Sequence, residues 1–227
     1  MVEDTIREIR KRLRLAMNGV ISTSMREKGI TYKLNFGVPL PEIKQIAASF
    51  EPGTELASAL WKEDIREFKI LATFLQPVGD FPLEKAEQWT AEIPYLEIAE
   101  QCSRNLFCKL PYAEDLVLGL IFNTREEYAR TTAFLVLGEL FKANKNVIAP
   151  VKAAFMIEAM RSLAKPLFAA TFKERQSAVK AMKFYGRQSV EQSGQILNAF
   201  ETYPDFESRP DLKEIYNDLK FEFDYYR

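Results

Sequence analysis

The chain has 227 residues, of which 47% are hydrophobic and 28% charged, and its formal net charge is −1. This composition is typical of ordinary soluble globular proteins that are long enough to bury a core. The sequence contains no histidine, which excludes serine–histidine and cysteine–histidine catalysis and nearly all catalytic zinc sites. It also contains neither a GxxxxGK[ST] nor a GxGxxG loop. Any catalysis would have to use carboxylates, tyrosines, lysines or arginines.

No apolar run approaches the roughly 18–20 residues that a membrane span requires. The N-terminal segment is charged from its third residue and has no secretory apolar core. The two cysteines, Cys102 and Cys108, are six residues apart, a spacing that fits neither a redox pair nor a zinc knuckle. We therefore expect a cytoplasmic protein with two buried or half-buried thiols, no membrane contact, no metal and no cofactor.

Apolar residues recur at helical spacing along most of the chain, and prolines stand where first helical turns would begin. The run from Leu60 to Ala72 is the most regular and predicts an amphipathic helix. Thr31 to Val38 comes nearest to a strand, and we interpret it as an extended connection. The pattern predicts an all-α protein with a single domain over residues 1–227, either a HEAT-like α-solenoid of antiparallel helix pairs or a compact helical bundle. The predicted helices cover residues 4–19, 41–49, 54–61, 63–75, 82–93, 94–107, 111–122, 125–143, 150–165, 173–186, 189–201 and 210–224.

Charge is spread unevenly along the second half of the chain. Residues 142–187 contain ten basic side chains and two acidic ones, a net charge of +8, whereas residues 188–227 carry a net charge of −5. A basic block of this kind can neutralise several phosphates and predicts nucleic-acid binding. The alternative is a solvated helix face without a ligand.

Five segments, in their order along the chain, resemble the AlkD-like DNA alkylation repair family. The first is an FG-containing connection with the helix after it, NFGVPLPEIKQIA. The second is LWKEDIREFKILA, with its LW pair and Arg66–Glu67. The last three are IPYLEIAEQC, EEYARTTAFLVL and VKAMKFYGRQ. The resemblance extends from about Asn35 to Arg187. It implies a HEAT-like repeat fold and, from the characterised enzymes, excision of cationic alkylated bases from duplex DNA without metal or histidine. We interpret Arg66 and Glu67 as an architectural salt bridge.

The resemblance also implies site positions. The position of the family's catalytic aspartate is Glu100, and the first tryptophan position is Leu96, which has no aromatic face. The second tryptophan position is Phe184, and the family arginine falls on Arg130 or Thr131. A carboxylate would stabilise the oxocarbenium character that develops on the sugar, and aromatic faces would hold the cationic base.

The function implied is that of a DNA-binding repair protein, with glycosylase activity on N3- and N7-alkylpurines through Glu100 as the hypothesis. The alternative is a non-catalytic HEAT-like scaffold that binds DNA or a protein partner. We expect a monomer whose main partner is duplex DNA. The residues expected to contact nucleic acid are Arg130, Phe184, Lys180, Lys183 and Arg187.

Overall fold

The computed structural model describes residues 2–166 and 168–226. Apart from an isolated bridge between Leu34 and Ile65, these residues form helices, turns and connections, and the all-α expectation is confirmed. Arg227, which we counted in the acidic tail, lies outside the described residues. The helices are α1 (Val2–Leu15), α2 (Gly19–Glu27), α3 (Leu40–Ala47), α4 (Thr54–Lys62), α5 (Arg66–Leu75), α6 (Leu83–Ala91), α7 (Leu96–Asn105), α8 (Ala113–Ile121), α9 (Ala129–Lys142), α10 (Ala149–Ala164), α11 (Ala169–Gly186), α12 (Val190–Glu201) and α13 (Pro210–Tyr225).

The chain divides into two compact units, Met1–Lys85 and Ala86–Arg227. Helices α1 to α5 belong to the first unit and α7 to α13 to the second. The expectation of a single domain stays a prediction. Among the described residues, no helix combines the length and the apolar character that crossing a bilayer requires.

The run from Leu60 to Ala72 is not one amphipathic helix, so that interpretation is wrong, whereas the division between the predicted helices 54–61 and 63–75 is confirmed. The backbone leaves the helical conformation at Glu63 and Ile65, which have extended φ and ψ angles. There the chain pairs with the extended connection: Leu34 N donates to the Asp64 carbonyl, and Arg66 N donates to the Leu34 carbonyl, each at 3.3 Å. Tertiary hydrogen bonds therefore override the helical periodicity at this point.

Helix α2 was not among the predicted helices. Asn18 begins it, because its side-chain oxygen accepts hydrogen bonds from Val20 N and Ile21 N, both at 3.1 Å. The FG connection packs directly on this start: a Cβ added to Gly37, whose φ is +69°, would lie 2.2 Å from the Asn18 carbonyl oxygen. Only glycine fits there.

Arg66 and Glu67 have the architectural role that we expected, although they hold a connection rather than a second helix. Their side chains form a buried salt bridge of 2.9 Å. Glu67 also accepts hydrogen bonds from the backbone N–H groups of Phe36 and Val38 at 3.1 and 3.2 Å, and Arg66 donates to the Val38 carbonyl at 2.9 Å. The pair thus fixes the FG connection to the first turn of α5.

Helix α9 is the centre of the second unit. Every residue from Ala129 to Gly138 is buried, as expected for a helix that is covered on all sides. Phe141 near its end packs against Phe155 of α10 and Tyr185 of α11, with ring centroids 5.2 and 4.9 Å apart. Helices α7, α8 and α11 all pack on α9. Arg130 belongs to α9 itself, Glu100 to α7 and Phe184 to α11, so α9 supports all three predicted site residues.

Candidate nucleic-acid interface

Helix α11 carries a row of basic side chains along one face. Lys180, Lys183 and Arg187 follow one another at spacings of three and four residues, so they project from the same side over about 10 Å of helix. Phe184 lies between them, and Lys142 at the end of α9 reaches the same ring. We call these five residues the basic face. It groups four of the predicted nucleic-acid contacts with a lysine that the basic block contains.

Phe184 is half-buried against α9, where a Cβ on Gly138 would lie 3.7 Å from its ring. Two cations lie near the same ring. The Lys142 ammonium is 5.9 Å and the Arg187 guanidinium 5.6 Å from the ring centroid. Both distances are within the range of cation–π attraction. The aromatic ring therefore already has positively charged neighbours before any ligand binds.

Acidic groups of α13 neutralise part of the basic face. Glu222 forms salt bridges with Lys183, at 3.7 Å, and with Arg187. The Arg187 guanidinium also stacks on Tyr226, 3.9 Å from the ring centroid. Lys180 has no carboxylate partner among the described residues.

Arg130 lies in a buried ionic cluster. All five of its N–H groups are used: Nε donates to Glu174 at 2.8 Å, Nη1 to Glu158 and to the Ile121 carbonyl at 2.6 Å, and Nη2 to Ser162 and the Glu158 carbonyl at 2.7 and 3.3 Å. Only 5% of the residue is exposed. A phosphate contact by Arg130 stays a prediction, and it would require rearrangement of this cluster.

Hydrogen bonds within the cluster favour the charged forms of Arg130 and Glu174. Burial alone would lower the pKa of Arg130, but hydrogen bonds to Glu158 and Glu174 raise that pKa above its ordinary value. Burial also acts to raise the pKa of Glu174, yet hydrogen bonds from Ser162, Arg130 and Lys165 outweigh it and lower the pKa below its usual value. Each charge is stabilised by the others, which is the condition for keeping charges in a protein interior.

Glu100 is half-buried on α7 and forms no hydrogen bond or ion pair with the described residues. Pairing with Arg104, one turn later, was the alternative to a functional role, but Arg104 instead bonds to Glu139 of α9 at 3.3 Å. Leu96, at the first tryptophan position, is also half-buried. Glu100 is therefore a carboxylate without a partner among the described residues, and the first tryptophan position of the family holds no aromatic side chain.

Arg130 and Phe184 lie at different levels along the axis of α9. Arg130 is in its first turn, whereas Gly138, which faces Phe184, is eight residues and about 12 Å further along the helix. Thr131, the other position for the family arginine, is buried with 2% exposure. Arg130 thus belongs to an internal cluster, and Phe184 to the surface that carries Lys180, Lys183 and Arg187.

Two residues of the interface were missed in the sequence, Glu222 and Tyr226. A usable signal exists, since Asp211, Asp218 and Glu222 are spaced by seven and four residues and so share one face of α13. The net charge of the acidic tail does not by itself single out these residues. The partner helix of that acidic face could not be read from spacing.

Comparison with known proteins agrees with this architecture. The family profile described as DNA alkylation repair enzyme matches residues 9–146. A solved structure described as a new family of proteins related to the HEAT-like repeat DNA glycosylases with affinity for branched DNA structures superposes with a TM-score of 0.73. The sequence identity is 13%, and the match covers 86% of this chain and 81% of the other. No curated protein sequence matches significantly.

The structural match confirms a HEAT-like helical repeat fold over the alternative of a helical bundle. The family profile spans more than half of the 227 residues. It includes the Arg66–Glu67 pair, the FG connection that this pair holds, Glu100 and Arg130. The chain therefore belongs to the DNA alkylation repair enzyme family.

Proposed function

We propose that this protein binds duplex DNA through the basic face, with its cations on the phosphate backbone. The observation that carries the proposal is the row of Lys180, Lys183 and Arg187 on one side of α11. The row is about 10 Å long, roughly the axial length of three phosphates on one strand. Lys142 adds a fourth positive charge beside the same ring. Binding of this kind is independent of base sequence and sensitive to salt.

The charges around Phe184 favour phosphate over a cationic base as its neighbour. A positively charged alkylpurine stacked on this ring would lie close to Lys142 and Arg187, which would repel it. A phosphate in the same place would be attracted by both. In this proposal Phe184 holds the two cations in position and packs against sugar.

The related protein of known structure is described as having affinity for branched DNA. We include four-way junctions among the ligands of this chain on that ground. A cytoplasmic monomer without metal or cofactor is the simplest form of the proposal. Binding of a protein partner remains the alternative for a scaffold that does not bind DNA.

The experiment is a titration of labelled linear duplex and four-way junction at several salt concentrations. Lys180→Ala is the most direct variant, since Lys180 has no carboxylate partner among the described residues. Loss of one phosphate contact should reduce the slope of log affinity against log salt by about 1. Lys109→Ala, an exposed lysine of the same unit that has no described ion pair, is the matched control and should behave as wild type. Equal slopes for the two variants would refute the proposed interface.

A second candidate function rests on Glu100, the half-buried carboxylate without a described partner. In a glycosylase it would stabilise positive charge developing on the sugar during excision of an alkylpurine. Release of 7-methylguanine and 3-methyladenine from alkylated duplex should then disappear in Glu100→Gln and persist in Glu97→Gln, one turn earlier. Absence of release from a wild-type protein that still binds duplex would favour the non-catalytic scaffold.

A further inference from the structure

The C-terminal helix α13 lies along the helix that carries the basic face. Three ion pairs join α13 to α11: Asp211 with Arg175 at 3.6 Å, Glu222 with Lys183 at 3.7 Å, and Glu222 with Arg187. They extend from the second turn of α11 and the first turn of α13 to the ends of the two helices. The acidic side of α13 therefore follows the basic side of α11 over most of its length.

The acidic side of α13 carries more charge than these pairs use. Glu214 and Asp218 are exposed and have no ion pair among the described residues, yet they line a groove of about 680 Å³ together with Lys180 and Lys183 of α11. Carboxylates placed opposite lysines without contacting them lower the positive potential of the groove. Glu214 and Asp218 contribute little to holding α13 in place, because attraction between solvent-exposed opposite charges is weak.

Helix α13 is held by few buried side chains. Among its sixteen residues only Leu212, Leu219 and Phe223 are buried, whereas twelve of the fourteen residues of α9 are buried. Phe223 packs on Gly186 at the end of α11, where an added Cβ would be 2.3 Å from the ring. Segments with little buried apolar surface open at low free-energy cost compared with the core. We therefore expect a shift of α13 to cost less free energy than opening of α9.

We infer that α13 is an acidic cover that competes with DNA phosphates for the basic face. This inference rests on the proposed function, because it names what limits DNA access to that surface. With α13 in place, Glu222 occupies Lys183 and Arg187 in the way that a phosphate would, and Asp218 and Glu214 repel an approaching strand. When DNA binds, phosphates replace Glu222 and α13 moves away from α11.

The test compares duplex affinity of wild type, Glu222→Gln and the double variant Asp218→Asn/Glu222→Gln. Removing the competing charge should raise affinity about three- to tenfold at moderate salt, since each partly exposed ion pair is weak. The control is Asp115→Asn, an exposed acid of α8 with the same change in net charge and no described partner. It should change affinity less than twofold, by the small effect of net charge alone. Far-UV circular dichroism and melting temperature verify that each variant folds.

A second measurement needs no variant. Hydrogen–deuterium exchange of wild-type α13 should accelerate on addition of duplex DNA, while that of α9 stays slow, because only α13 is displaced. Exchange in α13 that slows or stays unchanged on DNA binding would overturn the inference.

The outcomes separate the two proposals. If wild type binds duplex and Glu222→Gln binds no better than Asp115→Asn, the cover is refuted and the DNA interface stands. If wild type fails to bind and Glu222→Gln binds, the cover is supported in its strongest form. If no variant binds at protein concentrations of about 50 µM, well within the usual range of non-specific affinities, both proposals fall.

Discussion

Replacement of Arg130 by methionine tests whether the buried cluster of α9 is structural. The substitution keeps much of the side-chain volume and removes five hydrogen bonds. Among the described residues, the Glu158 carboxylate, 1% exposed, keeps only its ion pair with Arg161, whose side chain is 61% exposed. Glu174 keeps Lys165 and Ser162. The variant therefore leaves two carboxylates with reduced compensation inside the second unit.

Breaking a buried ion pair by removing one partner costs about 3–5 kcal/mol. For a chain of this size the melting temperature should fall by roughly 6–20 °C. Arg161→Met is the matched control, because it removes the exposed partner of the same carboxylate and should cost about 1 kcal/mol or less. Urea denaturation followed by far-UV circular dichroism measures both free energies of unfolding.

A difference of under about 1 kcal/mol between the Arg130 and Arg161 variants would refute this reasoning, since it would mean that the interior tolerates the uncompensated charges. The same variant separates structure from DNA contact. If Arg130 contacts no phosphate, Arg130→Met should have the wild-type slope of log affinity against log salt at temperatures where it remains folded. The slope for Lys180→Ala should be smaller by about 1. A reduced slope in Arg130→Met would indicate that the cluster opens on DNA.

Three further predictions concern stability. Glu67→Gln should cost about 3 kcal/mol in chemical denaturation, because it weakens acceptance of two backbone N–H groups and removes the charge of the carboxylate that forms a buried salt bridge with Arg66; a neutral result would contradict the architectural role. The folded-state pKa of Glu174 is lowered, so its contribution is present above its ordinary pKa of 4.5 and is lost as pH falls below that value. The difference in melting temperature between wild type and Glu174→Gln should therefore become smaller as the pH is lowered below 4.5. Gly186→Ala should destabilise by about 1–3 kcal/mol through Phe223, and Gly194→Ala, with open space around it, should stabilise by about 0.5–1 kcal/mol, both by thermal denaturation; equal effects would contradict the packing of α13 on α11.

Local chemistry was sufficient for much of the architecture. Helical spacing of apolar residues is a property of neighbouring positions, so it predicted nearly all the helices and the all-α class without knowledge of contacts. The adjacent Arg66 and Glu67 were correctly interpreted as an architectural pair from their place in the family motif. Spacing also separated the predicted helices 54–61 and 63–75, but it could not show that hydrogen bonds to Leu34, some thirty residues earlier, hold the chain extended between them.

Charge along the sequence identified the basic block but not the accessibility of its members. Spacing predicts which side of a helix a residue takes, and it placed Lys180, Lys183 and Arg187 together. Whether a cation is free or paired depends on which distant helix packs beside it. Arg130 is enclosed by Glu158 and Glu174, residues 28 and 44 positions away in the sequence, so only the tertiary structure could show that it is buried.

The sequence by itself determined the fold class, the family and the location of the positive charge, because each depends on residue type and on short-range spacing. Only the tertiary structure decided which charges remain available. Lys180 forms no ion pair with the described residues, whereas Lys183 and Arg187 pair with Glu222 of α13. Electrostatic interactions depend on distance in space, and a separation of 35 residues along the chain becomes direct contact between Arg187 and Glu222 only when α13 packs against α11.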